Sequence, residues 1–253
     1  MGPPADLTAA LDAVAGTRHL LVTSDFDGTL SPIVNDPADA RPLPAAADAL
    51  TALAGLPSTS VALISGRALS VLRELSGAPP SVHLVGSHGA EFDTGFVHEV
   101  DEVLLGRITT SLNAIAADRP GVTVETKPAS VALHVRNASA ADGDAALGEA
   151  RAASQAWDAH LTEGKAVLEF AVISTDKGEA VDILREQTGA TAVVFFGDDV
   201  TDEKAFRRMR EVDVGVKVGP GETLADYRIG SPDDVADALT SLCERRGAFI
   251  HRA

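Results

Sequence analysis

Asp25 and Asp27 stand one residue apart in LLVTSDFDGTLSP, at the end of an apolar run and just before Gly28 and Thr29. Carboxylates gathered at such a point can hold Mg2+, a hard cation that takes oxygen ligands. A carboxylate can also attack phosphorus and carry the phosphoryl group as an aspartyl-phosphate. On an extended chain the two side chains would face opposite ways, but a turn at Gly28 lets both reach one cavity. Taken alone, DFDGT is equally well a strand end followed by an Asp-Gly turn.

Three further segments decide the matter. ALISGR sets Ser65 beside Gly66 after a second apolar run, a hydroxyl next to bare N–H groups, as a phosphate oxygen requires. A helix N-cap serine would have the same appearance. TDKGEA puts Lys177 at a predicted helix start, where the dipole disfavours a cation unless an anion meets it. VVFFGDDVTDEKAF ends an apolar strand in Asp198, Asp199, Asp202 and Glu203, four acids within six residues. They repel one another unless a cation or hydrogen bonds hold them. N-cap and first-turn roles account for Asp202 and Glu203 but not for Asp198.

The elements that must carry these residues follow from apolar patterning. Runs at 19–24, 60–65, 81–86, 191–197 and 212–219 predict strands buried on both faces. PLPAAADALTALAGLP, between the first two, has helical spacing. The alternation argues for an α/β domain with a parallel sheet, in which ligands bind beyond the carboxyl ends of the strands. Asp25, Ser65 and Asp198 all fall at such ends. The middle differs: a helix near 100–118, strands GVTVETK and SVALHVR, an alanine-rich helix, then strands HLTEG and KAVLEFAVI. Consecutive strands with tight links predict antiparallel pairing. The expected organisation is a core of residues 1–103 and 175–253 with an α+β insert at 104–174.

Composition narrows the function classes. Hydrophobic residues are 45% of the 253, but Phe, Trp and Tyr only 4%, so the core must be aliphatic. A formal net charge of -16 would repel a nucleic-acid backbone or an anionic membrane, which excludes both as general partners. An anionic small substrate would then need local cations. The single cysteine, Cys243, rules out an internal disulfide, and no apolar run approaches the roughly 18–20 residues of a membrane span. The expectation is a soluble, cytoplasmic protein, a monomer or weak homo-oligomer.

DFDGT, SGR, DKG and GDDVTDE, in that order, resemble the four motifs of the haloacid dehalogenase superfamily of phosphotransferases, whose insertion point between the second and third motifs matches the insert. The resemblance implies a HAD-like Rossmannoid core with an inserted α+β cap domain of the C2 type. It makes Asp25 the nucleophile and Asp27 the general acid and base. Mg2+ would be held by Asp25, the backbone carbonyl of Asp27, and Asp198, with Asp199 and Asp202 orienting that shell. Ser65 and Lys177 would hold phosphate oxygens.

Polar residues of the insert sharpen the resemblance. Glu125 and Lys127 share one strand face by period-two alternation, as do His134 and Arg136, and Glu163, Lys165 and Glu169 follow. Mixed acids and bases on one face suit a polyol or sugar. A solvated face with cross-strand ion pairs would carry the same residues. HGAE, E-x-K, H-x-R and GK-x-x-x-E before DKG look like the trehalose-6-phosphate phosphatase family. That implies hydrolysis of trehalose 6-phosphate to trehalose and phosphate. Glu125, Lys127, His134, Arg136, Lys165 and Glu169 would surround the disaccharide, His88 and Glu91 would approach from the core side, and Arg67 would steady the lid or substrate. Two departures fall in the specificity region: Val135 where the family has an aromatic, and Ala171-Val172 where it has a basic residue and proline. The alternatives are another sugar phosphate (sucrose phosphate, a glycosyl-glycerate phosphate, a pseudo-disaccharide phosphate), a phospho-accepting signalling domain, or a non-catalytic sugar-phosphate-binding module. Asp27 and the insert argue against the signalling domain, and the filled catalytic positions against the binding module.

Overall fold

The computed structural model describes residues 2–251. Leu20–Ser24 form β1, buried along its whole length, because so short and unbroken an apolar run needs packing on both faces. Helix α1 (Ala5–Ala15) precedes it. Then come α2 (Pro44–Ala54), β2 (Thr59–Ile64), α3 (Leu69–Ser76), β3 (Val82–Gly86) and the short strands β4 (Glu91–Phe92) and β5 (Gly95–Phe96). A middle stretch follows: α4 (Glu102–Ala116), β6 (Thr123–Thr126), β7 (Ser130–His134), α5 (Ala140–Ser154), β8 (His160–Gly164) and β9 (Val167–Ala171). The last third supplies α6 (Lys177–Thr188), β10 (Ala192–Gly197), α7 (Glu203–Phe206), β11 (Val214–Val218), β12 (Tyr227–Ile229) and α8 (Pro232–Ile250).

The chain divides into two compact units, Met1–Gly95 with Thr175–Ala253, and Phe96–Ser174. The sequence-based boundary at 104 falls inside α4. The second unit starts earlier because α4 buries Leu104, Ile108 and Leu112 in that unit's own core.

The first unit is built on the sheet β12-β11-β10-β1-β2-β3-β4-β5, parallel from β12 to β3, with β4 antiparallel to β3. Strand order reverses at β1: β2 and β3 extend to one side, β10 to β12 to the other. A crevice therefore opens beyond the carboxyl ends of β1 and β10, where doubly wound sheets place their ligands. One sheet face packs Leu20, Val22, Leu63, Val194 and Phe196 against α1, α2, α3 and α8. On the other, Phe195 meets Phe206 of α7 edge-on at 5.5 Å. Each such aliphatic side chain contributes about 1.5–3 kcal/mol of transfer free energy.

The second unit is an antiparallel sheet, β6-β7-β9-β8. Val131, Leu133, Leu168 and Phe170 point to one side and join α4 and α5 in a core. The opposite face carries Glu125, Ala132, Glu169 and Thr162 in one row across the four strands, fixed by the register Glu125↔Ala132↔Glu169↔Thr162. Among the described residues, no helix is long and apolar enough to cross a membrane.

Candidate active site

The backbone N–H of Asp25 donates to Phe196 of β10 at 2.9 Å, so parallel pairing still holds this residue as it leaves β1. The next six residues close into a tight loop: Leu30 and Ser31 N–H donate to the carbonyl of Phe26, and Gly28 N–H to that of Ser31. The Asp27 carbonyl takes no part in that closure. Gly28 has φ +81, and a Cβ there would stand 2.2 Å from Asp198 Oδ2. Only glycine permits both the turn and the carboxylate packed against it.

Lys177 is the centre of the cluster. Asp176 caps α6 by accepting from Gly178 and Glu179 N–H, which fixes Lys177 as the first helical residue. Its ammonium, 2% exposed, lies 2.8 Å from Asp25 Oδ1 and 2.7 Å from Asp202 Oδ1. Asp202 Oδ2 accepts from the N–H groups of Asp198 and Asp199 at 3.0 and 2.9 Å. Asp202 therefore does not cap α7 with its side chain; it ties the loop after β10 to Lys177. Thr29 Oγ1 donates to Asp198 Oδ1 at 3.0 Å. Carboxylate oxygens of Asp25, Asp198 and Asp202 all lie within 4.8 Å of one another.

Electrostatics fit a divalent cation at this point. Burial is the largest influence on Asp25 and pushes its carboxyl well above the usual range; Lys177 opposes this, and Asp202 and Asp198 add to it. Asp198 is raised as well, first by burial and then by Asp202. Burial works against the charge on Lys177, yet the two carboxylates outweigh it and hold the ammonium protonated. Asp25 and Asp202 share one bridging ammonium, Lys177, with Asp198 beside them, so a bound cation would relieve the mutual repulsion of the three carboxylates. Asp202 has both oxygens engaged, whereas Asp25 Oδ2 and Asp198 Oδ2 accept no hydrogen bond among the described residues. Hard oxygen donors, mutually repelling carboxylates and free lone pairs suit Mg2+ or a similar cation.

Ser65 is buried and linked to the same edge, its N–H donating to Val85. It does not cap α3, whose N-terminus has no side-chain cap at Ala68. Its hydroxyl accepts from Arg67 N–H at 3.2 Å, leaving its proton available to an anion. Arg67 is engaged within the first unit. It grips Asp27 with two bonds, Nε to Oδ2 at 2.6 Å and Nη2 to Oδ1 at 2.7 Å. Ser87, His88 and Gly89 all have positive φ (51°, 56° and 111°), an uncommon run for residues with side chains. The strained loop lays the His88 ring over Gly66, where a Cβ would come within 2.4 Å of it. Glu91, expected to meet substrate, accepts from Leu69 N–H at 2.8 Å and so supplies the missing cap of α3. Asp199 is exposed, outside the cluster, and accepts from Val200 N–H.

On the polar face of the second unit, His134 Nε2 lies 2.9 Å from Glu125 Oε2. Lys127 donates to Glu169 at 3.0 Å, and Ser130 donates to the other Glu169 oxygen at 2.6 Å. Arg136 and Lys165, just past β7 and in the β8–β9 turn, are exposed and outside these pairs. Glu163 belongs to the opposite side: it pairs with Leu168 in register and takes a two-point bond from Arg151 of α5. Val135 also faces that core, against Gly143 of α5, and Val172 packs with it. Of the three residues that make up the two departures from the family pattern, only Ala171 lies on the polar face, paired with Ser130 and His160.

The sequence assigns no role to Thr29, Ser130 or Lys217, each of which holds a carboxylate or carbonyl in these clusters. Lys217 had a visible signal, a charge inside the apolar strand VGVKV.

A trehalose-phosphatase family model matches residues 23–229. The trehalose-phosphate phosphatase of Mycobacterium avium is 35% identical over 264 residues, covering 94% of this chain and 66% of that protein. The chain thus spans just under two thirds of that relative's length. The trehalose-6-phosphate phosphatase of Escherichia coli is 34% identical, with 83% of this chain and 82% of that protein covered. The C-terminal domain of a Candida albicans trehalose-6-phosphate phosphatase superposes with a TM-score of 0.80 at 23% identity, covering 96% and 98% of the two chains, which bears on the fold. Matched along most of its own length and of the Escherichia coli protein's, the chain belongs to the trehalose-phosphatase family.

Proposed function

We propose that the protein hydrolyses trehalose 6-phosphate to trehalose and phosphate through a phospho-aspartate. The observation that carries this is Lys177, bridging Asp25 and Asp202 beside Asp198 at the switch point of the sheet. Asp25 attacks phosphorus in line and the ester P–O bond breaks, while Asp27 gives a proton to the departing sugar oxygen. Asp27, now a carboxylate, takes a proton from the water that cleaves the acyl phosphate, which frees phosphate and restores Asp25. Because Arg67 holds both Asp27 oxygens, that pair must open before Asp27 can act. Ser65 and Lys177 hold phosphate oxygens and stabilise the charge that develops on them. Mg2+, when bound by Asp25, Asp198 and the Asp27 carbonyl, would supply further neutralisation of the phosphoryl group.

The first unit is assigned the chemistry and the second the choice of sugar. Glu125, Lys127, His134 and Glu169, joined in pairs on one polar face, offer donors and acceptors for sugar hydroxyls. Arg136 and Lys165 extend that set; in the first unit, His88 is the residue proposed to meet substrate. Glu91 also holds the start of α3, and Arg67 also holds Asp27; their part in binding substrate is proposed beside these bonds. A cytoplasmic setting is consistent with the lone Cys243.

The test is phosphate release from trehalose 6-phosphate, glucose 6-phosphate, sucrose 6-phosphate and glucosylglycerate phosphate, with and without Mg2+. Mg2+-dependent release from trehalose 6-phosphate alone is expected. Release from another member alone would keep the mechanism and overturn the substrate.

A further inference from the structure

Strand β11 reads VGVKV, and all five residues are buried. A lysine there is anomalous, since burying an ammonium is costly unless its charge and donors are used. Lys217 lies opposite Gly197 in the β10–β11 register, one residue from Asp198. Its ammonium donates to the backbone carbonyl of Asp198 and lies 4.0 Å from Glu203 Oε1. That oxygen is buried and accepts no hydrogen bond among the described residues, while Glu203 Oε2 accepts from Leu224 N–H at 2.8 Å.

Three independent bonds therefore fix Asp198. Its N–H donates to Asp202 Oδ2, its Oδ1 accepts from Thr29, and its carbonyl accepts from Lys217. The loop beyond it, with Asp199 exposed and Val200 76% exposed, offers no packing to do the same. We propose that Lys217 is a positioning residue for the metal site: by holding the Asp198 carbonyl it sets the direction of the Asp198 carboxylate and so the affinity for the divalent cation. This rests on the metal assignment made above.

Two effects of opposite sign make the proposal testable. Removing a nearby positive charge would by itself tighten cation binding, whereas losing the anchor of a metal-binding carboxylate weakens it, typically about 10- to 100-fold. Lys217→Met preserves side-chain length in an apolar strand, and Lys217→Leu gives a second apolar variant should the Met protein not fold. Lys217→Arg keeps the charge and a donor.

Mn2+ binding to the metal-free proteins, followed by electron paramagnetic resonance, is the primary readout, with thermal melting of the same samples as a folding control. The expected result is Mn2+ affinity at least tenfold weaker in the Met variant with melting little changed, most of the loss recovered in the Arg variant, and kcat restored by raising the metal concentration with KM for the sugar phosphate unchanged. Affinity equal to or tighter than wild type in a folded Met or Leu variant would overturn the proposal. If wild type itself bound no Mn2+, the metal assignment would fall and the proposal with it.

Discussion

Replacing Asp202 by Asn changes one oxygen to an amide in a side chain that is fully buried. In the native protein Oδ1 accepts from Lys177 at 2.7 Å and Oδ2 from two backbone N–H groups at 3.0 and 2.9 Å. An amide has one accepting oxygen and one donating NH2. Turned one way, its NH2 faces the Lys177 ammonium; turned the other, it faces the N–H groups of Asp198 and Asp199. Either choice loses one or two bonds to a charged group, about 1.5–3 kcal/mol each, and leaves buried donors unpaired. Relief of repulsion from Asp25 and Asp198 offsets part of this, but Lys177 already stands between Asp202 and Asp25. The net cost should be about 3–5 kcal/mol, as for a broken buried ion pair, against total stabilities of about 5–15 kcal/mol. Urea unfolding of metal-free Asp202→Asn at pH 7 should show a lower midpoint at unchanged slope. A loss below about 1 kcal/mol would refute the reasoning and return Asp202 to the role of a first-turn acid.

Further outcomes follow from the same geometry. Burial holds Asp25 and Asp198 above the usual carboxylate range, so protons compete with a cation for them more strongly than at ordinary carboxylates. Mg2+ affinity should rise with pH, and titration calorimetry at pH 6 should give a heat that depends on the ionisation enthalpy of the buffer; a buffer-independent heat would contradict this. Glu169→Gln should raise KM for the sugar phosphate with a smaller effect on kcat, whereas Glu163→Gln, on the opposite side of the same sheet, should leave KM unchanged; steady-state kinetics of the two variants would expose an error in the face assignment if both shifted alike. Arg246 is buried and donates to Ala15, Thr17 and Ser58 carbonyls and to Thr59 Oγ1. Arg246→Met should lower stability by about 2 kcal/mol or more in urea melts, because two buried bonds are lost at about 1 kcal/mol each, with two half-buried ones besides.

The strands of the first unit and the ends on which Asp25, Ser65 and Asp198 sit were legible because apolar runs buried on both faces have no other use for their residues. The ordered acids and Lys177 were legible because each is costly where it stands unless the others are near. Partner choice was not legible. Nothing local says that Arg67 turns to Asp27, since that contact joins loops forty residues apart. Nor does anything local say that Glu91 holds α3, because the donor it satisfies, Leu69 N–H, belongs to a helix whose missing cap only the fold reveals. Period-two alternation sorted Glu125 and Lys127 correctly within one strand. It could not relate β8 to β9 without their register, and so it put Glu163 with Glu169, although Glu163 lies opposite Leu168. Val135 likewise looked like a specificity residue and turns out to be core, because its side chain follows Leu133 and not His134.

The most direct test of the central claim is a rapid acid quench of the protein turning over trehalose 6-phosphate with Mg2+, followed by peptide mass spectrometry. The account predicts an acid-stable phosphoryl group on Asp25 that disappears on longer incubation and is absent from Asp25→Asn. Turnover without any phosphoryl-enzyme, or with the phosphoryl group on another residue, would contradict it.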